Sequence, residues 1–228
     1  MVYSDSTRLS AIIADNPAIL SLLNRLGICL GVGKDTVAQS AVSHGIDPEF
    51  LLTMINTYLN HDYFPEKELL SFPLNGICDY LMRTNRYYIE VQLPNVGRHF
   101  RHLVERSYSP DTNLNRLYDF FVSLQQKMQT ELKVESALLA EVVMCEGERS
   151  GEINDGLRRL AEEKKHQATE SLYDLINLFI IHLRGSYDTN LCHAVINALI
   201  ALGNDMRQNN RIHDHILSPL LLRSLGND

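Results

Sequence analysis

Residues 117–142 read LYDFFVSLQQKMQTELKVESALLAEV. At alternating steps of four and three, the stretch presents Leu117, Phe121, Leu124, Met128, Glu131, Glu135, Leu138 and Val142. That repeat predicts the buried seam of a long helix packed among other helices. Two carboxylates one turn apart, Glu131 and Glu135, stand where leucines belong. An unpaired carboxylate is costly to bury, so a metal ion or cationic side chains from facing helices must meet them.

Three further long segments carry the same kind of stripe. The first runs from Leu74 to Tyr108, with Leu74, Ile77, Cys78, Leu81, Asn85, Tyr88 and Gln92 in its seam. Pro94 predicts a kink or break there. The helix of the opening stretch starts after Pro110 and Asp111 and stops near Gly147. The next segment runs from Ile153 to Arg184, with Ala161, Lys165, Ala168, Leu172, Leu175, Phe179 and His182 in register. The last starts near Thr189 and presents Cys192, Val195, Leu199, Leu202, Met206, Asn209, His213 and Ile216, with Pro219 limiting its length. Four apolar stripes joined by short polar loops predict an up-down four-helix bundle over residues 74–228.

Ahead of the bundle, residues 1–60 predict a small domain of short helices. Asp5 or Ser6 can cap the first, around Leu9 to Ala14, and Asn16-Pro17 opens the second. A third covers Thr36 to Ser43, and Asp47-Pro48 opens a fourth. The glycine-rich LGICLGVGKD between the second and third is a helix–helix turn: Asp35 follows Lys34 where a phosphate-binding loop needs Ser or Thr. Residues 61–73, HDYFPEKELLSFP, carry two prolines and a charge cluster and read as a linker. The fold class expected is all-α.

The chain has 228 residues, 45% hydrophobic, with a net charge of −7 and a pI near 5.7. This balance argues against nucleic acid as the main partner. No apolar run approaches the ~20 residues that span a membrane, and the amino terminus lacks the basic and apolar regions of a signal peptide. Cys29, Cys78, Cys145 and Cys192 form no CxxC pair, which fits reduced thiols in a cytoplasmic protein.

Polar residues interrupt all four seams: Asn85 with Arg86 beside it, Glu131 and Glu135, Lys165 with His166 beside it, and Asn209 with His213. Interruptions in every seam point to one internal polar cluster, and helix bundles build metal and cofactor sites in this way.

The layout resembles the repair-of-iron-centres family, di-iron proteins that repair iron–sulfur clusters. Those have a small helical amino-terminal domain and a hemerythrin-like bundle. The family's carboxyl-terminal signature, D-L-x-x-H-x-x-x-E-N-x-I-L-F-P, is matched in register by Asp205-Met206, Asn209, His213-Asp214 and Ile216-Leu217-Ser218-Pro219. NRLGICLGVGKDTV lies where the family has a G-I-x-x-C-C-G-G turn, VQLP at Val91 to Pro94 resembles its E-L-P, and ELKVESALLAEVV follows its H-x-x-x-E-E-x-I-L-F-P. The resemblance covers nearly the whole chain and implies a di-iron site, but the ligands depart from it. The family's first histidine falls on Asn85, or on Arg86 one place on. Its H-x-x-x-E falls on Glu131 and Glu135, its third-helix histidine on Lys165, and its last H-x-x-x-E on Asn209 and His213. Its Cys-Cys becomes Gly31-Val32, with Cys29 two places earlier.

Three readings follow. In the first, Lys165 and Arg86 neutralise Glu131 and Glu135 in place of iron. The protein is then a non-enzymatic regulatory or interaction member of the family, linked to redox or nitrosative stress. It carries no cofactor and works through a protein partner or self-association, for instance as a homodimer. In the second, Glu131, Glu135 and His213, with His166 or His215 turned inward, hold one divalent ion such as iron for repair or for oxygen or nitric-oxide sensing. In the third, the polar core is the floor of a small-molecule site between Asn85 and Asn209. Outside the cluster, Cys29 is the candidate reactive thiol, Tyr87 and Tyr88 stack near the site, and His99 and His102 lie on a basic face with Arg98, Arg101 and Arg106.

Overall fold

The computed structural model describes residues 2–60, 62–107, 112–144, 150–163 and 167–226. Among them the chain is all-α. The helices are α1 (Leu9–Asp15), α2 (Leu20–Arg25), α3 (Val37–Ser43), α4 (Pro48–Leu59), α5 (Glu66–Ser71), α6 (Leu74–Tyr87), α7 (Leu93–Arg106), α8 (Leu114–Met144), α9 (Gly151–Glu162), α10 (Gln167–His182), α11 (Thr189–Ile212) and α12 (Ser218–Leu225). A 3₁₀ turn, Pro17–Ile19, leads into α2, and π turns at Tyr88–Gln92 and His213–Leu217 precede α7 and α12. None of these helices is long and apolar enough to cross a membrane.

By packing, the chain forms two compact units. One comprises Met1–Thr84, Leu139–Glu162 and Arg211–Asp228, the other Asn85–Leu138 and Glu163–Asn210.

In the first unit, local chemistry sets the short helices. The cap expected from Asp5 or Ser6 is not used: α1 starts after Arg8, which makes no side-chain cap. Instead, Arg8 and Thr36 form an isolated antiparallel bridge. Leu9 N–H donates to the Asp35 carbonyl at 3.0 Å, and Val37 N–H donates to the Thr7 carbonyl at 2.9 Å. Each helix start thus fills a donor that the other leaves open. Thr36 and Gln39 add a capping box to α3, and Asp47 accepts from Phe50 N–H at 2.9 Å to cap α4. Arg25, almost fully buried, ties α2 to α6: its Nη1 donates to Tyr80 and Thr84, each at 3.3 Å. The stretch 61–73 holds α5, whose Leu69 is fully buried.

The second unit has a continuous apolar core. The π turn before α7, then α7, α8, α10 and α11, contribute Tyr88, Leu93, Phe100, Phe121, Leu175, Phe179, Leu199 and their neighbours. Phe100 is its hub, with ring centroids 5.7 Å from Phe121 and 5.0 Å from Phe179. Asn113 secures one loop region, donating to the His182 carbonyl at 2.9 Å and accepting from Arg184 N–H at 3.0 Å. The segment expected to run unbroken from Ile153 to Arg184 is α9 and α10, on either side of residues 164–166, which lie outside the described residues.

Pro94 and Pro219 neither break nor end their helices. Each follows a π turn, in which Leu93 N–H donates to Tyr88 O and Ser218 N–H to His213 O, five residues back. A proline lacks the N–H that an α-helix needs and crowds the carbonyl four residues earlier. Widening the preceding turn absorbs both defects, so α7 and α12 carry on.

On α11, Gly203 seats a ring. A Cβ there would lie 3.0 Å from Tyr173 Cζ. The Tyr173 hydroxyl donates to Asn204 Oδ1 at 2.8 Å, and the Arg207 guanidinium stands 3.7 Å over the ring. Gly203→Ala gains helix propensity but overpacks this contact. We expect a net loss of about 1–2 kcal/mol in urea denaturation; a gain in stability would show that the ring moves aside freely.

Candidate functional site

The geometry of α8 decides which carboxylate is buried. Its inward positions are Leu114, Leu117, Phe121, Leu124, Met128, Leu132, Glu135, Leu139 and Val142, all buried except half-buried Leu132. The steps alternate three and four until Met128, where two fours follow in succession. A helix of 3.6 residues per turn drifts from a strict seven-residue repeat, and the doubled four takes up that drift. The seam moves one residue on, from Glu131 to Leu132. The expectation that both glutamates are internal is therefore corrected. Glu131 is about half exposed, with its carboxylate 3.8 Å from Lys127, whereas Glu135 is 3% exposed.

α11 repeats the pattern. Cys192, Val195, Leu199, Leu202, Met206, Asn210 and His213 are buried, again with two fours around Met206. Asn210 thus takes the inward place expected of Asn209, which is half-buried. Asn210 Nδ2 donates to Thr169 Oγ1 at 3.0 Å.

In the second unit, Asn85 is fully buried; its Nδ2 donates to Ser136 Oγ at 3.2 Å, and its Oδ1 accepts no hydrogen bond among the described residues. Arg86 is exposed, so the expectation that it neutralises buried glutamates is also corrected. One residue past the seam, it falls on the solvent side of the helix. Lys165 and His166 lie outside the described residues. Four buried polar residues described in this unit were absent from the sequence-based cluster: Ser107, Thr169, Asp205 and Asn210. Asp205 stands three residues after buried Leu202, a spacing that places the two on one side of the helix and could have exposed it.

In the first unit, His213 begins the π turn before α12 and is 1% exposed. Its carbonyl accepts from both Ser218 N–H and, at 3.0 Å, Ser218 Oγ. Neither ring nitrogen is hydrogen-bonded among the described residues; Asp214 Oδ1 lies 3.6 Å from Nδ1, beyond bonding distance. His215 does not turn inward. It is exposed, with its ring edge-on to Phe64 at 5.5 Å.

The described residues do not fit the di-iron group that the resemblance implies. Asn85 is a neutral amide engaged with Ser136, and Glu131 stands at the surface with Lys127. No group of three or more His, Cys, Asp or Glu side chains able to hold a metal occurs among the described residues.

The remaining candidates lie elsewhere. On α7, His102 is exposed 3.8 Å from Glu105, and Arg101 donates to the Tyr118 hydroxyl at 3.2 Å. Tyr87 and Tyr88 are tilted at 47° with centroids 6.5 Å apart; Tyr87 accepts from Gln92 at 3.1 Å. Cys29 is exposed between Gly27 and Gly31, both at positive φ, while Cys78 and Cys192 are buried. Cys145 lies outside the described residues.

Two measurements check these placements. Glu131→Ala should change stability by less than about 0.5 kcal/mol, the range of an exposed pair. A loss of several kcal/mol in denaturation would place Glu131 inside. Burial pushes the Cys192 thiol up, which starves it of thiolate. Cys29 should therefore alkylate at least about tenfold faster than Cys192 or Cys78 in the native protein, as followed by peptide mass spectrometry; equal rates would contradict the geometry.

No protein-family model, curated protein or solved structure matches the chain.

Proposed function

We propose that the chain is a non-enzymatic regulatory or interaction protein on the plan of the repair-of-iron-centres family. In this reading, a small amino-terminal helical domain is followed by a hemerythrin-like up-down four-helix bundle whose metal ligands are largely lost. The protein acts in redox or nitrosative stress in the cytoplasm, through a protein partner or self-association. What carries the reading is Asn85. Where the family places its first histidine, this chain has a fully buried amide that donates to Ser136. An amide so engaged offers iron a weak oxygen donor at best, in place of an imidazole nitrogen. Glu131, where the family places another histidine, stands at the surface beside Lys127.

His213 favours a second reading. A buried imidazole with neither nitrogen hydrogen-bonded among the described residues carries an unmet donor and an unmet acceptor, which is costly unless a further partner arrives. A metal is one such partner, and with it the protein would be a metal-dependent repair or sensing member of the same family.

Iron content separates the two. Protein purified without chelators or metal-affinity resin should carry no stoichiometric iron. Added ferrous ion should leave the melting temperature unchanged, because a ligand that binds only the folded state must raise it. One or two irons per chain by elemental analysis, lost in His213→Ala or Glu135→Ala, would replace the first reading with the second.

A further inference from the structure

The first unit holds a groove of about 360 Å³ that takes no part in the polar cluster. It opens between the α3–α4 turn, the start of α4 and the beginning of α6. Its walls include three aromatic rings. Phe50 stands edge-on to Phe72, with centroids 5.1 Å apart at 89°, and to Tyr80, at 6.1 Å and 73°. Rings set at steep angles turn their faces in different directions, and a ring face is the negative part of the aromatic quadrupole.

The rim is acidic. Asp47 and Asp79 both line the groove, against the one arginine, Arg83. Asp47 caps α4, accepting from Phe50 N–H at 2.9 Å. Asp79 accepts from Arg83 Nε at 2.8 Å, with both side chains about half exposed. Such a pair is weak in water and readily exchanged for another cation. With histidine counted as neutral, two carboxylates and one guanidinium leave an excess of one negative charge.

Gly76 lies in the lining, within the first turn of α6, where glycine costs helix stability relative to alanine. Its φ is not positive, and a Cβ there would meet no atom of the described residues within 4 Å. Neither backbone conformation nor packing within the protein calls for glycine at this position. The bare backbone leaves room for something that approaches α6 from the groove.

We infer that this groove is a binding site for a small alkylammonium compound of the choline class. Its charged head would lie against the half-buried rings of Phe50 and Phe72, its charge balanced by Asp47 and Asp79; the Tyr80 ring beneath, 3% exposed, already carries the Arg25 guanidinium 6.0 Å from its centroid. Aromatic faces attract such cations most strongly when water is displaced, and a methylated ammonium gives up its hydration more easily than a lysine or a free amine. The volume falls at the low end of ligand pockets and suits a head group of a few heavy atoms.

The test is calorimetric titration of the full chain with choline, run beside 3,3-dimethylbutan-1-ol, which has the same shape without the charge. Choline should bind at one site per chain, at least about tenfold tighter than the alcohol. Asp79→Asn should weaken choline several-fold. Gly76→Ala should weaken it too while raising the melting temperature, so weaker binding there cannot come from misfolding. Equal affinity for choline and the alcohol, preference for acetate, no binding of choline, or unchanged binding in Gly76→Ala would each overturn the assignment.

Discussion

An α-helix completes a turn every 3.6 residues, whereas a seam of alternating threes and fours repeats every 3.5. A long helix with one buried side must take up that difference somewhere. In α8 it does so just after Met128, and in α11 just after Met206. In each helix the inward face moves one residue along the chain. The polar residues that matter lie directly beyond those two points, so the drift decides which of them is inside. Glu135 and Asn210 are turned in, Glu131 is left at the surface, and Asn209 is half-buried with its Oδ1 enclosed. A carboxylate in water and one in a helix interface differ by several kcal/mol in desolvation. A displacement of one residue therefore changes the chemistry of the core.

The two π turns are a second solution to the same kind of misfit. Buried Tyr88 and Leu93 are five apart, a step that an unbroken α-helix cannot place on one line. The widened turn makes that step and leaves Pro94 in the first turn of α7, where a missing N–H costs nothing. The turn at His213–Leu217 does the same for Pro219. It also seats the His213 ring in the interior, with its carbonyl held by Ser218. An insertion of this sort is costly unless the surroundings hold it in place, and such turns recur at functional sites. That gives His213 more weight than its letter in the sequence carries.

The all-α class was legible because apolar spacing over long stretches averages out local errors, and periodicity is the strongest signal a sequence carries. Asp47-Pro48 and Thr36 marked helix starts because their side chains act on donors three residues away. The start of α1 at Leu9 was legible but its cap was not, since Leu9 and Val37 are satisfied by backbone carbonyls of distant segments that leave no trace in residue type. Single buried polar positions, Asn85, Glu135 and His213, were legible, while Glu131 was misread by register. A template of strict threes and fours carries Leu117 through Met128 correctly and then selects Glu131, because it takes a three where the helix takes a second four. Leu132 was the available clue, since it offers the apolar side chain that position 131 lacks.

Asn85 shows how far a site can be read from its donors alone. A metal centre needs side chains that are electron-rich, convergent and not already bound to a neighbour. Asn85 has a neutral amide, and its nitrogen is committed to Ser136. Its oxygen is the remaining acceptor, unfilled among the described residues, in a fully buried side chain. A buried acceptor in that state favours whatever donor the neighbourhood can bring, which is the opposite demand from that of an imidazole awaiting a cation. Replacing histidine by asparagine at such a position alters what the interior attracts, from metal ions to hydrogen-bond donors. On that ground, the buried amide of Asn85 weighs more against a metal at that position than the buried carboxylate of Glu135 weighs for one.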